Sequence, residues 1–147
     1  MRKGQAMTTH YLIDAYNVIH KSSLLRPVAQ YDLERARDML LDLVQCFCLT
    51  GDYEVTVVFD GREEEQTRQT APLNGNERGM HLIYSPHHTS ADTVIERLVY
   101  QRRDRMTCVV VSNDQSLRSQ CRGMGSLTME ADSFLHSVQQ VEKNARD

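Results

Sequence analysis

The sequence has little that would direct it into a membrane or out of the cell. No apolar run among its 147 residues approaches the roughly 18 residues of a membrane span, and residues 1–7 lack the apolar stretch of a secretory signal. The four cysteines have no second cysteine or histidine pair at zinc-site spacing. They are typical of small buried side chains in a reducing compartment, and we therefore expect a cytoplasmic protein without a membrane partner.

Several motifs of phosphate-handling and hydrolytic proteins are also missing. The chain has no G-x-x-x-x-G-K-[ST] loop, and no G-x-G-x-x-G follows its first predicted strand. It has no G-x-S-x-G nucleophile elbow. Only three lysines are present, Lys3, Lys21 and Lys143, and none follows a late strand as in a response-regulator domain. These absences disfavour P-loop, dinucleotide-binding, α/β-hydrolase and response-regulator proteins.

The composition is that of a globular protein, with 40% hydrophobic and 25% charged residues. The length suits a single core, so we predict a flexible leader over residues 1–9 and one domain over residues 10–147. Predicted strands alternate with predicted helices. This pattern favours an α/β protein with a parallel sheet that is covered on both faces.

The predicted elements follow from the spacing of apolar residues. Strands are predicted at 10–14, 54–59, 81–84, 107–111 and 125–129, and helices at 32–50, 90–103, 114–122 and 131–143. Gly51 is expected to close the first helix. Residues 15–17 are predicted to form a turn, and residues 18–30 a loop in which Pro27 acts as a breaker. Residues 61–79 are polar and contain Gly, Pro and Asn, which predicts a long mobile loop.

Aspartates stand at the ends of several predicted elements. Asp14, Asp60 and Asp114 come at or just after the ends of strands, and Asp92 lies at the start of a helix. Because the carboxyl ends of parallel strands share one edge of a sheet, we expect these carboxylates to meet there. Carboxylate oxygens together with water suit Mg²⁺ or Mn²⁺. A metal in an acidic pocket with arginines nearby indicates phosphodiester chemistry.

Each aspartate also has a purely structural interpretation. Asp14 can support a turn after its strand, and Asp60 precedes Gly61 in a turn-forming pair. A carboxylate at Asp92 is favourable in the first turn of a helix, and Asp114 suits a helix N-cap. Taken singly, these structural interpretations are the more common ones. Taken together, they do not explain why carboxylates that repel one another should share an edge, whereas a bound ion does.

Positive charge is carried mainly by arginine, which supplies 14 of the 17 basic residues in a chain of formal net charge −3. Five arginines and only two acids lie between residues 99 and 125, which gives that stretch a net charge of +3. Since arginine can hold a phosphate bidentately, this stretch is either a solvated helix face or a phosphate-binding surface. The five arginines are Arg102, Arg103, Arg105, Arg118 and Arg122.

Four segments, in order along the chain, carry a resemblance to a known family. LIDAYNVI from Leu12, VFDG from Val58, SADTVIE from Ser90 and VSND from Val111 resemble the YacP-like NYN domain family of the PIN-like nuclease group. The resemblance implies a three-layer α/β/α sandwich with a parallel sheet in the PIN-like order 3-2-1-4-5. It also implies a divalent-metal endoribonuclease, with ribosome-linked activity in some relatives.

By position, the resemblance implies an acidic catalytic and metal-binding site at Asp14, Asp92 and Asp114. Asn17 matches the asparagine of the first motif, and Asp60 matches a further acid at the rim. The chain departs from the pattern at Arg118, where some relatives have another acid. The number of metal ions, one or two, therefore stays open.

We expect from these features a metal-dependent endoribonuclease that cleaves single-stranded RNA with Mg²⁺ or Mn²⁺ and has RNA, and in some settings the ribosome, as its partner. An open edge with few aromatic residues suits a single strand better than a duplex. Two alternatives stay open: a catalytically weak RNA-binding module of the same fold, and a phosphohydrolase for small phosphate esters. The expected contacts to RNA are Lys21, Arg62, Ser112, Asn113, Arg118 and Arg122.

Overall fold

The computed structural model describes residues 8–49, 53–61, 75–77 and 79–146 as one sheet flanked by helices. The strands are β1 (Thr8–Asp14), β2 (Tyr53–Phe59), β3 (Gly75–Glu77), β4 (Met80–Tyr84), β5 (Met106–Val111) and β6 (Leu127–Met129). The helices are α1 (Ala15–Lys21), α2 (Arg26–Tyr31), α3 (Leu33–Cys48), α4 (Ala91–Arg102), α5 (Gln115–Gly123) and α6 (Ala131–Arg146). None of these helices is both long enough and apolar enough to cross a lipid bilayer.

The sheet has the order β3-β4-β2-β1-β5-β6. β1 pairs in parallel with β2 on one side and with β5 on the other, while β4 and β6 extend the parallel sheet outwards. The five parallel strands are the five predicted from the sequence, and their order confirms the expected 3-2-1-4-5 arrangement. β3 adds an antiparallel strand at one edge, beside β4.

Both faces of the sheet are covered, because neighbouring residues of each central strand point to opposite sides. Ile13 packs with the buried residues of α1, α3 and α6. Leu12, the preceding residue, packs with those of α4 and α5 on the other face. The helices and sheet therefore form the predicted three-layer α/β/α sandwich. The four cysteines are free thiols. Cys108 and Cys121 are buried among the residues that pack with Leu12 on the face covered by α4 and α5.

The structure corrects the prediction for residues 15–30. The predicted turn at 15–17 and the predicted loop at 18–30 are instead the helices α1 and α2. Pro27 lies in the first turn of α2, where the missing backbone N–H of proline leaves no helical hydrogen bond unmade. Val18 and Ile19 bury an apolar face of α1 against the core, which holds this short helix in place.

The second correction concerns residues 61–79, which were predicted to be one loop. Residues 75–77 form the edge strand β3, although residues 62–74 and 78 lie outside the described part of the chain.

The ends of three further elements differ from the prediction or cannot be compared with it. Gly51, the expected end of a helix, lies outside the described residues, and α3 ends at Cys48. β1 starts at Thr8, two residues earlier than predicted. β6 starts at Leu127, two residues late, because Gly125 adopts a positive φ of 95° in the preceding turn.

The turn after β2 is held tightly against the end of β4. The backbone N–H of Gly61 donates to the Ser85 hydroxyl at 2.9 Å, and the N–H of Ser85 donates to the carbonyl of Phe59 at 2.9 Å. A Cβ atom added at Gly61 would lie 1.7 Å from the carbonyl oxygen of Ser85. Only glycine fits this approach, which in turn fixes the position of Asp60.

We predict that Gly61→Ala lowers the free energy of unfolding by about 2 kcal/mol, because the backbone must shift to relieve the contact. Gly123→Ala is the matched control, since a Cβ there meets nothing within 4 Å and alanine favours the helix. Urea denaturation of both variants measures the effect. Equal stability of the two variants would contradict the prediction.

Candidate functional site

A polar cleft of about 320 Å³ opens at the carboxyl edge of the parallel strands. Its walls come from the end of β1, the helix α1, the residue after β2, and the starts of α4 and α5. The strand-end aspartates therefore lie around one cavity, as the topology requires. The lining residues are Asp14, Tyr16, Asn17, His20, Lys21, Asp60, Ser90, Ala91, Asp92 and Asp114.

Asp14 is the most deeply placed carboxylate of the cleft. It ends β1 and precedes α1, and only 6% of its surface is exposed. The hydroxyl of Ser112, at the end of the neighbouring strand β5, donates a hydrogen bond of 2.9 Å to Asp14 Oδ2. Residues 98 positions apart in the chain are thus joined at the floor of the cleft.

Burial raises the pKa of Asp14 to about 7, since a charged carboxylate is poorly solvated there. The hydrogen bond from Ser112 opposes this shift, while the carboxylates of Asp92, Asp114 and Asp60 add to it by repulsion. The three aspartates are therefore close enough to Asp14 to affect its charge. An accumulation of negative charge of this kind favours a cation.

The segment Ser112–Asn113–Asp114 after β5 organises this side of the cleft. The Ser112 hydroxyl also accepts a hydrogen bond of 3.1 Å from the N–H of Asp114. The N–H of Asn113 donates to Asn17 Oδ1 at 2.8 Å, and Asn113 Oδ1 accepts from the N–H of Ala131 at 2.7 Å. This segment therefore ties together β1, α1 and the start of α6.

Asp114 is the N-cap of α5, where its Oδ1 accepts a hydrogen bond of 3.0 Å from the N–H of Leu117. The structural interpretation of this aspartate is thus correct, and the side chain also lines the cleft. Asp92 lies in the first turn of α4, whose N-cap is Ser90. Both acids occupy favourable positions at helix starts and contribute negative charge to the same cavity.

The donor set has the chemistry of a Mg²⁺ or Mn²⁺ site, since it consists of carboxylate oxygens. In the residues that the structure describes, however, no three His, Cys, Asp or Glu side chains lie close enough together to hold an ion jointly. Mg²⁺ is commonly held by one or two carboxylates and keeps several waters. The residues of the cleft therefore fit such an ion through the chemistry of their oxygen atoms.

The predicted RNA contacts differ in where the structure places them. Lys21 lines the cleft, whereas Arg62 lies outside the described residues. Arg118 and Arg122 are not among the lining residues; both reach Thr128 of the edge strand β6, at 3.5 and 3.2 Å. Ser112 and Asn113 hold the cleft together through the hydrogen bonds above, and their contact with RNA stays a prediction.

Four lining residues were not assigned to the site from the sequence: Tyr16, His20, Ser90 and Ala91. Tyr16 is buried, yet it borders the cleft. His20 follows Tyr16 by four positions, the spacing that places two side chains on one face of a helix. Predicting α1 as a helix would have identified this pair.

Comparisons with known proteins agree with this architecture. The model of a family described as "YacP-like NYN domain" matches residues 11–147. The uncharacterized protein YacP of Bacillus subtilis is 29% identical over 139 residues, which are 90% of this chain and 76% of that protein. Two crystal structures of Rae1 (YacP) from Bacillus subtilis share the fold, one of them a W164L mutant. Both have a TM-score of 0.77, with identities of 22% for the mutant and 24% for the other. They cover 93% and 92% of this chain, and the chain covers 79% and 76% of theirs.

We predict that Asp14→Asn raises the free energy of unfolding near neutral pH. The pKa of Asp14 is about 7 in the folded state against an ordinary 3.8, so folding favours its protonated form. The contribution of Asp14 to stability is therefore highest below about pH 4 and is lost as the pH rises towards 7. At about 1.4 kcal/mol per pH unit, the variant gains a maximum of about 4 kcal/mol above pH 7.

Thermal denaturation between pH 4 and pH 8 measures this difference. Asp38→Asn is the matched control, because Asp38 is exposed on α3 and lies outside the cleft. A constant stability difference between Asp14→Asn and the parent over this range would show that the Asp14 charge does not destabilise the fold.

Proposed function

The chain belongs to the YacP-like NYN domain family, which is a nuclease family, and we propose that it is a metal-dependent endoribonuclease acting on single-stranded RNA. The observation that carries the proposal is the buried Asp14, whose pKa is raised by burial and by three further carboxylates around one cleft. Such a cleft is suited to a divalent cation. The comparisons give no support for the ribosome as a partner.

The cation would be Mg²⁺ or Mn²⁺, held by Asp14 with Asp92 and Asp114, in part through water, and with Asp60 at the rim. When bound, such an ion polarises the scissile phosphate and lowers the pKa of a bound water. The chain itself supplies the orientation: Ser112 fixes the Asp14 carboxylate, and the N-cap hydrogen bond fixes Asp114. Preorganised groups of this kind need little rearrangement during the reaction.

Two side chains of α1 are suited to hold the substrate. Lys21 lines the cleft and is exposed, so its ammonium can contact a phosphate beside the carboxylates. The amide oxygen of Asn17 accepts a hydrogen bond from the N–H of Asn113. The NH₂ group of the same amide can therefore donate a hydrogen bond to a phosphate oxygen. The opening of the cleft at a sheet edge suits a single strand.

We predict that the protein cleaves mixed-sequence single-stranded RNA in Mg²⁺ or Mn²⁺, and that EDTA abolishes the cleavage. Asp14→Asn and Asp114→Asn should each lower the rate by at least about 100-fold, since a metal contributes several kcal/mol to the transition state. Asparagine caps helices as well as aspartate does, so Asp114→Asn preserves α5. Asp60→Asn should have a smaller effect.

The outcome separates the proposed function from its alternatives. Binding of RNA without cleavage in either metal would identify an RNA-binding module. Hydrolysis of small phosphomonoesters without cleavage of RNA would identify a phosphohydrolase. Cleavage that is equally fast in Asp14→Asn and in the parent would show that the acidic cleft is not the active site.

We further predict that Lys21→Ala weakens RNA binding and lowers the salt dependence of the affinity by about one phosphate contact. Arg122→Ala tests the other predicted contact surface, because this arginine lies outside the cleft and reaches Thr128. Filter binding at several salt concentrations measures both variants. A larger loss of salt dependence in Arg122→Ala would move the phosphate-binding surface from the cleft to α5.

A further inference from the structure

A column of aromatic side chains leads from the core of the protein to the cleft. The rings of Tyr84 and Phe59 stack, with centroids 5.0 Å apart and planes at 14°. Phe59 meets Tyr16 edge to face at 5.5 Å. Tyr16 in turn stacks with the imidazole of His20, at 6.3 Å and 25°. The imidazole is thus the exposed end of the column.

The helical spacing of α1 fixes this arrangement. Tyr16 and His20 are one turn apart, as are Asn17 and Lys21, and all four line the cleft. The helix therefore places two aromatic rings, Tyr16 and His20, beside two polar side chains, Asn17 and Lys21. Tyr16 is only 4% exposed, while His20 is exposed. The imidazole is consequently backed by a ring that the core holds in place.

An aromatic surface next to a phosphate-binding surface matches the chemistry of a nucleotide. Bases of single-stranded RNA stack on aromatic side chains, including histidine. Such stacking tolerates any sequence, because every base has a π-face. In this chain only 6% of the residues are Phe, Trp or Tyr. A column of rings that ends at the acidic cleft therefore marks this face of α1 as a surface on which a base can stack.

We propose that a nucleobase of the bound strand stacks on the imidazole of His20, while the adjoining phosphate lies against the ammonium of Lys21. The identity of the ligand rests on the proposed function. Tyr16 acts as a positioning residue that holds the imidazole parallel to the base. The pair thereby selects unpaired nucleotides, since a base within a duplex cannot offer its face to a side chain.

The test uses single-stranded RNA dodecamers of one sequence, each with 2-aminopurine at a different position, since the fluorescence of this base is quenched by stacking. The protein carries Asp14→Asn, so that binding is measured without cleavage. One position should show quenching on binding. His20→Ala should remove that quenching and weaken binding about 10-fold, whereas His20→Phe should retain both.

His136→Ala is the matched control, because His136 is exposed on α6 and does not line the cleft. It should leave quenching and affinity unchanged. A dodecamer with an abasic site at the quenched position should bind equally to the His20→Ala variant and to its parent. These two comparisons separate stacking from a general loss of affinity.

Unchanged quenching and affinity in His20→Ala would overturn the proposal. Affinity lost equally in His20→Ala and His20→Phe would also overturn it, because it would assign the contact to a hydrogen bond or charge of the imidazole. If wild-type protein cleaves RNA but His20→Ala stacks the probe normally, only the stacking proposal fails. If quenching depends on His20 but wild-type protein does not cleave in either metal, only the proposed activity fails.

Discussion

The parallel pairing of β1 with both β2 and β5 is the constraint on which the cleft depends. In this register Asp14 is level with Val58, and Ile13 is level with Val111. The segments after the three strands therefore emerge together at one edge. Residues from widely separated parts of the chain meet there because the strands themselves bring them to the same edge. A slip of two residues in either pairing would move a whole wall of the cleft away from Asp14.

The cleft also shows how local structure and site chemistry are combined in the same residues. Asp114 caps α5, and Asn113 accepts a hydrogen bond from the first N–H of α6. These contacts satisfy helix-end groups that would otherwise lack partners, and they hold the polar segment rigid beside Asp14. The carboxylates repel one another, but the helix starts around them offset part of that repulsion through their dipoles.

The resemblance to the YacP-like NYN domain family implied the strand order, which the pairing of the strands bears out. The strand-end aspartates could be found from the residues themselves, because a buried strand followed by an acid is a local signal whose position the sheet then determines. The sequence predicted α1 poorly. Asp14-Ala15-Tyr16-Asn17 resembles a turn, and only the burial of Val18 and Ile19 against the core decides for a helix, which brings His20 to the cleft. The positive charge of Arg118 and Arg122 is evident from the sequence, but charge alone does not show towards which neighbour a helix directs a side chain. Both side chains reach from α5 to Thr128 of β6. β3 was missed because Gly75-Asn76-Glu77 has no apolar alternation and exists as a strand only by pairing with β4.

The two edges of the sheet are both formed by very short strands. β3 and β6 have three residues each, whereas the central strands β1 and β2 have seven. A short edge offers few backbone N–H and C=O groups to a strand from another molecule. The apolar central strands, whose exposed edges would promote aggregation, are each paired on both sides within the sheet, so only the short edge strands are open to another chain.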